Sequence, residues 1–258
     1  MTPRRIVITA GASGIGRALA EAFLAQGDQV HVCDVDDAAL DAMRQKLPAI
    51  HAARADVASE SDMARFFDGV GDRLDVLINN AGVAGPTGRC EDLAPADWAR
   101  TIDINLTGAF LATRLAIARL RRGRDAAIIM MSSNAGLFGC PLRSPYVASK
   151  WALIGLTKTL AMELGPDGIT VNALCPASVE GPRIRGVIAR DAAARGLTVA
   201  AVETEYKRQS SMRQFIQPDE IVAMVSFLAS RAARNISGQA IAIDGHTEGL
   251  WSDLEPVR

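Results

Sequence analysis

Short apolar runs recur along this chain at residues 6–9, 30–33, 50–53, 76–79, 126–132, 170–174 and 240–243, with helix-periodic segments between them. That alternation constrains the fold more than any other feature. The runs are continuously apolar, as strands are when helices cover both faces of their sheet, and lack the in–out alternation of a half-exposed sheet. Between the first two runs, Ile15, Leu19, Ala22 and Phe23 fall on one face of a helix, and Ile102, Leu106, Ala109, Phe110 and Thr113 do the same in a longer segment. Strands joined this way pair in parallel through right-handed crossovers. The expected architecture is α/β: a single doubly wound domain over residues 1–258, with a parallel seven-stranded sheet and helices on both faces. One stretch breaks the rhythm. Residues 176–217 separate the sixth run from the next clear helix, and so long an excursion in a compact domain is expected to be a lid over a site.

Composition narrows the partners. Of 258 residues, 49% are hydrophobic and 22% charged, enough for a sizeable core. A net charge of -1 gives no electrostatic reason to expect nucleic acid or an acidic membrane as partner. No apolar run has the length of a membrane span, and the first begins at Ile6, leaving no room for a cleavable signal. A cytoplasmic protein is expected. Cys33, Cys90, Cys140 and Cys175 are scattered without a CxxC pair and read as buried free thiols. His31, His51 and His246 show no zinc-type spacing, so no metal is expected, and His31 reads as a structural histidine with its hydrogen bonds satisfied.

The first run ends in Thr9-Ala10-Gly11-Ala12-Ser13-Gly14-Ile15-Gly16 and opens directly into a helix. Gly11, Ser13, Gly14, Ile15 and Gly16 let backbone amides approach a pyrophosphate, to which a helix N-terminus adds partial positive charge. The spacing is not GxGxxG; the loop's place in the first βαβ unit is what favours a nucleotide. Asp34 closes the second run, 18 residues beyond Gly16, with no Arg or Lys between it and Met43. A carboxylate there suits ribose hydroxyls and repels a 2′-phosphate, so NAD is favoured over NADP. The plainer role for Asp34 is to cap a helix starting near Asp36. Asp56-Val57, after the third run, admit the same two readings, an adenine contact or a helix cap. Asn79-Asn80-Ala81-Gly82 ends the fourth run, at the carboxyl edge where ligands sit in such sheets.

Tyr146 and Lys150 stand four apart behind Ser144-Pro145, residues suited to an N-cap and a first helical position. That spacing sets phenol and ammonium side by side on one helix face. Many helices carry such a pair by chance. Here Ser132-Ser133 ends the preceding run, and Asn105 sits mid-helix, where a buried amide needs a partner. A free phenol titrates near ~10, so making it a base near neutrality takes about 4 kcal/mol. One ammonium at about 4 Å in an effective dielectric of about 20 contributes roughly that much.

Residues 9–16, Asp56-Val57, residues 79–82, Asn105, Ser133, Tyr146-x-x-x-Lys150 and Asp244-Gly245 together resemble the short-chain dehydrogenase/reductase family in order and spacing, over essentially the whole chain. The resemblance implies a Rossmann-type domain that interconverts a secondary alcohol and its ketone with NAD. It implies that Tyr146 takes the substrate hydroxyl proton and Ser133 holds the substrate oxygen. It gives Lys150 the nicotinamide ribose and the lowering of the phenol's pKa, and Asn105 a water that relays the proton. It sets Asn80, Ala81, Gly82, Pro176, Ser178 and Val179 along the cofactor. It also implies a homotetramer, with the helices of Asn105 and Tyr146 and the last strand at interfaces, and residues 246–258 as a candidate lining for a neighbour's site. Three positions depart from the family pattern. Ala10 stands where the loop's first glycine is usual, tightening the turn by a methyl; Ala177 replaces the glycine after Pro176. Gly181 stands near the usual place of a threonine that contacts the carboxamide, leaving that contact to Ser178 or a backbone amide.

Within residues 176–217, Arg183, Arg185, Arg190, Arg195, Lys207, Arg208 and Arg213 stand against Glu180, Asp191, Glu203 and Glu205. Arg143 or Arg183 is expected to read a polar or anionic small-molecule substrate such as a sugar, polyol or acid; a solvated surface is the plain alternative for any one arginine. Reduction of 3-oxoacyl thioesters, usually NADPH-dependent in the family, is the alternative activity. A non-catalytic nucleotide-sensing protein is the alternative of a different class, against which the set Ser133, Tyr146, Lys150 and Asn105 argues. A serine hydrolase is disfavoured, since residues 11–15 fail GxSxG and the histidines follow no triad order.

Overall fold

In a computed structural model of the chain, which describes residues 3–250, the apolar runs form β1 (Arg5–Thr9), β2 (Gln29–Asp34), β3 (His51–Arg54), β4 (Val76–Asn79), β5 (Ala127–Met131), β6 (Thr170–Pro176) and β7 (Ala240–Ile243). Each lies within two residues of its expected position. They make one parallel sheet in the order β3-β2-β1-β4-β5-β6-β7. The chain leaves β1 in one direction for β2 and β3, then returns to its other side for β4. That reversal opens a crevice at the carboxyl ends of β1 and β4.

Both faces of the sheet are covered, which is why its strands read as unbroken apolar runs. Val7, Cys33, Leu77, Ile128, Met130 and Val171 turn to one face and pack with α3 (Glu60–Asp68), α5 (Gly108–Leu120) and α6 (Ser144–Leu164). Ile6, Ile8, Val32, Ile78, Ile129 and Leu174 turn to the other, against α1 (Gly14–Ala25), α2 (Asp37–Lys46) and α9 (Pro218–Leu228). The helix α4 (Pro95–Ile102) leads into α5.

Several local expectations are corrected. Asp36 caps α2 by accepting from the Ala39 amide, and Ser59 caps α3 by accepting from the Asp62 amide, so neither Asp34 nor Asp56 is an N-cap. Ser144 does not cap α6 either. The Val147 amide bonds the Arg143 carbonyl at 2.9 Å, so the helix starts one residue earlier and the Ser144 hydroxyl is buried without a partner. His31 is buried, but its Nε2 has no hydrogen-bond partner; its ring stacks on His51 at 4.4 Å and 11°. Burial, His51 and Arg5 push its pKa down to about 4, so this histidine is neutral and held by stacking. Of the four free thiols only Cys33 and Cys175 are buried; Cys140 is half-buried and Cys90 exposed.

Residues 176–217 carry two helices, α7 (Pro182–Arg195) and α8 (Val199–Arg208), where the sequence offered only an excursion. Ile184, Val187, Ile188, Ala192, Val202 and Phe215 form an apolar cluster of their own. Arg195 lies between the helices, 3% exposed; both its Nη atoms donate to Glu205 at 3.0 Å, and Asp191 is 3.5 Å from Nη1. Arg185 pairs with Glu180 and Lys207 with Glu203. The segment ends against the chain's last described turn: the Ser211 hydroxyl is 2.7 Å from His246 Nδ1 and the Ser211 amide bonds the His246 carbonyl. Residues 251–258, part of the expected lining for a neighbour, lie outside the described residues. No helix among the described residues is long and apolar enough to cross a membrane.

Candidate active site

The loop after β1 is shaped by steric demands on its backbone. A Cβ on Gly11 would sit 2.6 Å from the Val32 side chain, and one on Gly16 would sit 2.3 Å from the Ala10 carbonyl and 2.7 Å from Asn80 Nδ2. Gly14 has φ +52°, which L side chains rarely adopt. Ala10 has φ +50°, so the methyl in place of the family's glycine sits in the left-handed region and strains the turn. Asn80 latches the loop to β4 by donating from Nδ2 to the Thr9 and Ala10 carbonyls at 3.0 Å. The Thr9 hydroxyl in turn accepts from the Asn80 and Ala81 amides. Ser13 precedes α1 without capping it through its side chain, so the first amides of that helix point toward the crevice without a protein acceptor from Ser13.

At the end of β2, Asp34 accepts from the Ala12 amide at 3.1 Å and from the Val35 amide at 2.8 Å, which ties the loop to the strand. The sheet register sets Arg54 of β3 beside Asp34, a cation that sequence distance hides, and Arg54 is paired with Asp37 at 3.3 Å. Asp56 turns its own chain through the Ala58 amide, and Val57 packs on Gly108, where a Cβ would come within 2.8 Å.

Asn105 lies in a π-turn, Asp103–Thr107, between α4 and α5. Wide turns of this kind favour functional positions because they redirect a residue out of the regular ladder. Its side chain is fully buried and clasps Val83, donating to the carbonyl at 3.1 Å and accepting from the amide at 2.7 Å. It also donates to the Ser149 hydroxyl at 3.0 Å, which itself donates to the Tyr146 carbonyl on α6. Lys150 donates from Nζ to the Met131 carbonyl at 2.7 Å, at the end of β5, and its Nζ is 5.6 Å from the Tyr146 ring centre. The two serines divide. Ser132 donates to the Lys150 carbonyl at 2.9 Å, while Ser133 accepts from the Ala135 amide at 3.1 Å and donates to Asn134 Oδ1 at 3.2 Å. Gly82 completes the floor: a Cβ there would come within 3.2 Å of Asn105 Oδ1 and 3.4 Å of Lys150 Nζ.

Burial by itself would raise the Tyr146 phenol's pKa, but Lys150, Arg183, the Ser133 hydroxyl and Arg143 outweigh it and hold the phenol below its ordinary value. Lys150 is lowered too, by burial first and by Arg183, with Tyr146 opposing. The single ammonium of the sequence argument is thus one of three cations around the phenol. Arg143, buried before α6, stacks 5.2 Å from the Tyr146 ring centre and donates from Nη2 to the Ala84 carbonyl at 2.8 Å. Arg183, on the first turn of α7, donates to the Gly82 carbonyl at 2.9 Å across the crevice. Gly82, Ala84 and Gly85 on one side and Arg183, Gly186 and Arg190 on the other line an open cleft of about 450 Å³.

After β6 the chain stays pinned to the sheet end. The Ala177 amide bonds the Ile243 carbonyl, the Ser178 carbonyl accepts from Ile216, and Val179 bridges to Ile216. Gly181, in place of a threonine, has φ +149°, a backbone conformation that suits glycine. Structure therefore brings Tyr146, Lys150, Ser133, Asn105, Gly82 and both arginines together at the crevice, with the glycine loop and Asp34 at its other end. Ser132 and Ser149 escaped the sequence reading as anchors because their partners are 18 and 44 residues away.

A family model described as enoyl-(acyl carrier protein) reductase matches residues 9–246, a span that holds every element of this site. The chain belongs to the short-chain dehydrogenase/reductase family. It is 37% identical over 246 residues to an uncharacterised short-chain type dehydrogenase/reductase of Sinorhizobium fredii, covering 94% of this chain but only 43% of that longer protein. It is 35% identical over 250 residues to D-beta-hydroxybutyrate dehydrogenase of Cupriavidus necator, covering 93% and 95% of the two chains. Among solved structures, a single-substitution variant of actinorhodin polyketide ketoreductase with NADPH superposes with a TM-score of 0.88 at 29% identity, covering 94% of this chain and 96% of that one. The short-chain dehydrogenases/reductases are oxidoreductases of hydroxyl and keto groups that use nicotinamide cofactors.

Proposed function

We propose that the protein is an NAD-dependent oxidoreductase that interconverts a secondary alcohol, as in a polyol, sugar or hydroxy acid, with its ketone. The observation that carries this reading is the Tyr146 phenol, lowered in pKa despite burial because Lys150 and two arginines converge on it. In oxidation Tyr146 accepts the substrate hydroxyl proton, and Ser133 donates to the substrate oxygen. Lys150 stabilises the phenolate and binds the nicotinamide ribose. The Asn105 amide is spent on Val83 and Ser149, so a relay water at this residue belongs to the main chain of its π-turn.

The residues fit a nicotinamide dinucleotide. Gly11, Ser13, Gly14, Ile15 and Gly16 would hold its pyrophosphate, where any Cβ on Gly11 or Gly16 collides. Asp34 would hold the adenosine ribose, Asp56 and Val57 the adenine, and Asn80, Ala81, Gly82, Lys150, Pro176, Ser178 and Val179 the nicotinamide half. When bound, the dinucleotide supplies the hydride acceptor in oxidation and the hydride donor in reduction. The Asp34 carboxylate, which accepts ribose hydroxyls and repels a 2′-phosphate, favours NAD. Residues 176–217 act as the lid of one domain spanning the chain, and Arg143 or Arg183 reads a polar or anionic group on the substrate. Exposed Trp98 and Phe110 on α4 and α5 and Trp151 and Met162 on α6 support a homotetramer. The likeness to a polyketide ketoreductase supports a second reading, 3-oxoacyl thioester reduction with NADPH.

The test is absorbance at the reduced-nicotinamide band, with NAD or NADP, across alcohols, sugars, hydroxy acids and 3-oxoacyl thioesters. Tyr146→Phe should lose about 10²–10⁴-fold in turnover while still binding NADH. Retained turnover would overturn the mechanism. Asp34→Ala should relax cofactor choice toward NADP; a wild type that already prefers NADP sinks the cofactor assignment and favours the second reading.

A further inference from the structure

Among the described residues, two arginines are almost fully buried, Arg143 at 7% and Arg195 at 3% exposed, and they are treated in opposite ways. Arg195 is matched by two carboxylates, Glu205 through both Nη atoms and Asp191. Arg143 has no ion pair with any carboxylate among the described residues. Its Nη2 meets the Ala84 carbonyl, one face lies against the Tyr146 ring, and its Nε is buried with no hydrogen-bond partner. A buried, unpaired cation is costly, and so is an unmet donor. The backbone is strained to keep it there: Leu142, just before, has φ +63°, and its carbonyl is tied by the Gly88 amide at 3.0 Å. Asp191, whose charge is felt at neighbouring Cys140 and Tyr206, is already engaged by Arg195.

We propose that Arg143 is the anion-recognising residue of the substrate site and that the substrate is a hydroxy acid. Its carboxylate takes the buried Nε donor that no protein group meets, while its carbinol lies at Tyr146 and Ser133. A neutral sugar or polyol would leave the buried charge uncompensated. A planar two-oxygen anion matches one edge of a planar fork. Arg183 is the poorer choice, since it is exposed and shares its charge with water and the Gly82 carbonyl. This inference rests on the alcohol–ketone chemistry proposed above.

The experiment compares a hydroxy acid with its amide and its methyl ester as substrates, with NAD. Wild type should favour the acid in kcat/KM by about 30-fold or more, chiefly through KM. Arg143→Gln should bring that ratio close to one, and Arg143→Lys should restore part of it. A loss of Tyr146 reactivity or a general packing defect lowers acid and amide alike and leaves the ratio unmoved, so the ratio isolates recognition. If the glutamine variant does not fold, Arg143→Lys must still raise KM for the acid more than for the amide. A wild-type ratio near one, or an undiminished ratio in Arg143→Gln, overturns the inference; so does a matching hydroxyalkyl phosphate preferred over the acid. A wild type that turns over no alcohol with NAD or NADP overturns the proposed function itself, a result distinct from turnover without acid preference.

Discussion

The loop after β1 and the segment 176–217 approach the same crevice from opposite sides and are held by different forces. The loop is held by backbone geometry. Gly11 and Gly16 exist because a Cβ would strike Val32 or the Ala10 carbonyl, and Asn80, Thr9 and Asp34 fasten it almost wholly through main-chain groups. The segment is held by side chains, an apolar cluster around Ile188 and Val202 and the buried Arg195–Glu205–Asp191 group between α7 and α8. The difference teaches where each region tolerates change. A main-chain fastening constrains which residues fit, while a side-chain fastening can be re-specified by exchanging partners, which suits a surface that selects among substrates.

The largest test of this contrast is Arg195→Met, which leaves Glu205 and Asp191 buried without their cation. Breaking such a group costs about 3–5 kcal/mol. Hydrogen exchange should show α7 and α8 losing protection while β1 and α1 keep theirs; equal loss in both regions would show that they do not stand apart. Gly16→Ala is the reciprocal change. Overpacking of this kind costs about 1–3 kcal/mol, and it should lower the unfolding midpoint and weaken NADH binding while leaving exchange in α7 and α8 unmoved. A smaller, opposite effect is expected from Ala10→Gly. Relief of the left-handed strain is worth about 1 kcal/mol, offset in part by glycine's freedom in the unfolded chain, so the midpoint should rise by at most a few degrees. The finest probe crosses between the regions. Arg183 helps hold the Tyr146 phenol below its ordinary pKa. Oxidation needs the phenolate, so its rate rises with pH through that pKa. Removing the cation in Arg183→Gln raises the pKa and moves the acidic limb to higher pH, whereas Asp34→Ala should leave it in place; an unmoved limb in Arg183→Gln would separate the lid from the chemistry.

How much of this was legible in the residues follows the same division. Strand positions come out within two residues because strands buried on both faces leave unbroken apolar runs. Tyr146, Lys150 and Ser133 stand out because an i,i+4 pair and a strand end are local patterns. The cap of α6 is misread at Ser144, since the first helical hydrogen bond starts from Arg143, whose guanidinium is drawn to Ala84, 59 residues away. The helix α7 is hidden because arginines interleave its apolar positions and blur the periodicity.

By itself, then, the sequence determined the strand order's raw material, the glycines that a close backbone approach demands, and the local pair of phenol and ammonium. All three rest on sterics and on spacing within a few residues. Only the tertiary structure decided which charges act on the Tyr146 phenol, that Arg54 lies beside Asp34, and that Arg143 is buried unpaired where Arg195 is buried paired. Charge balance in a buried site is a sum over partners far apart in the chain, and no local pattern carries that sum.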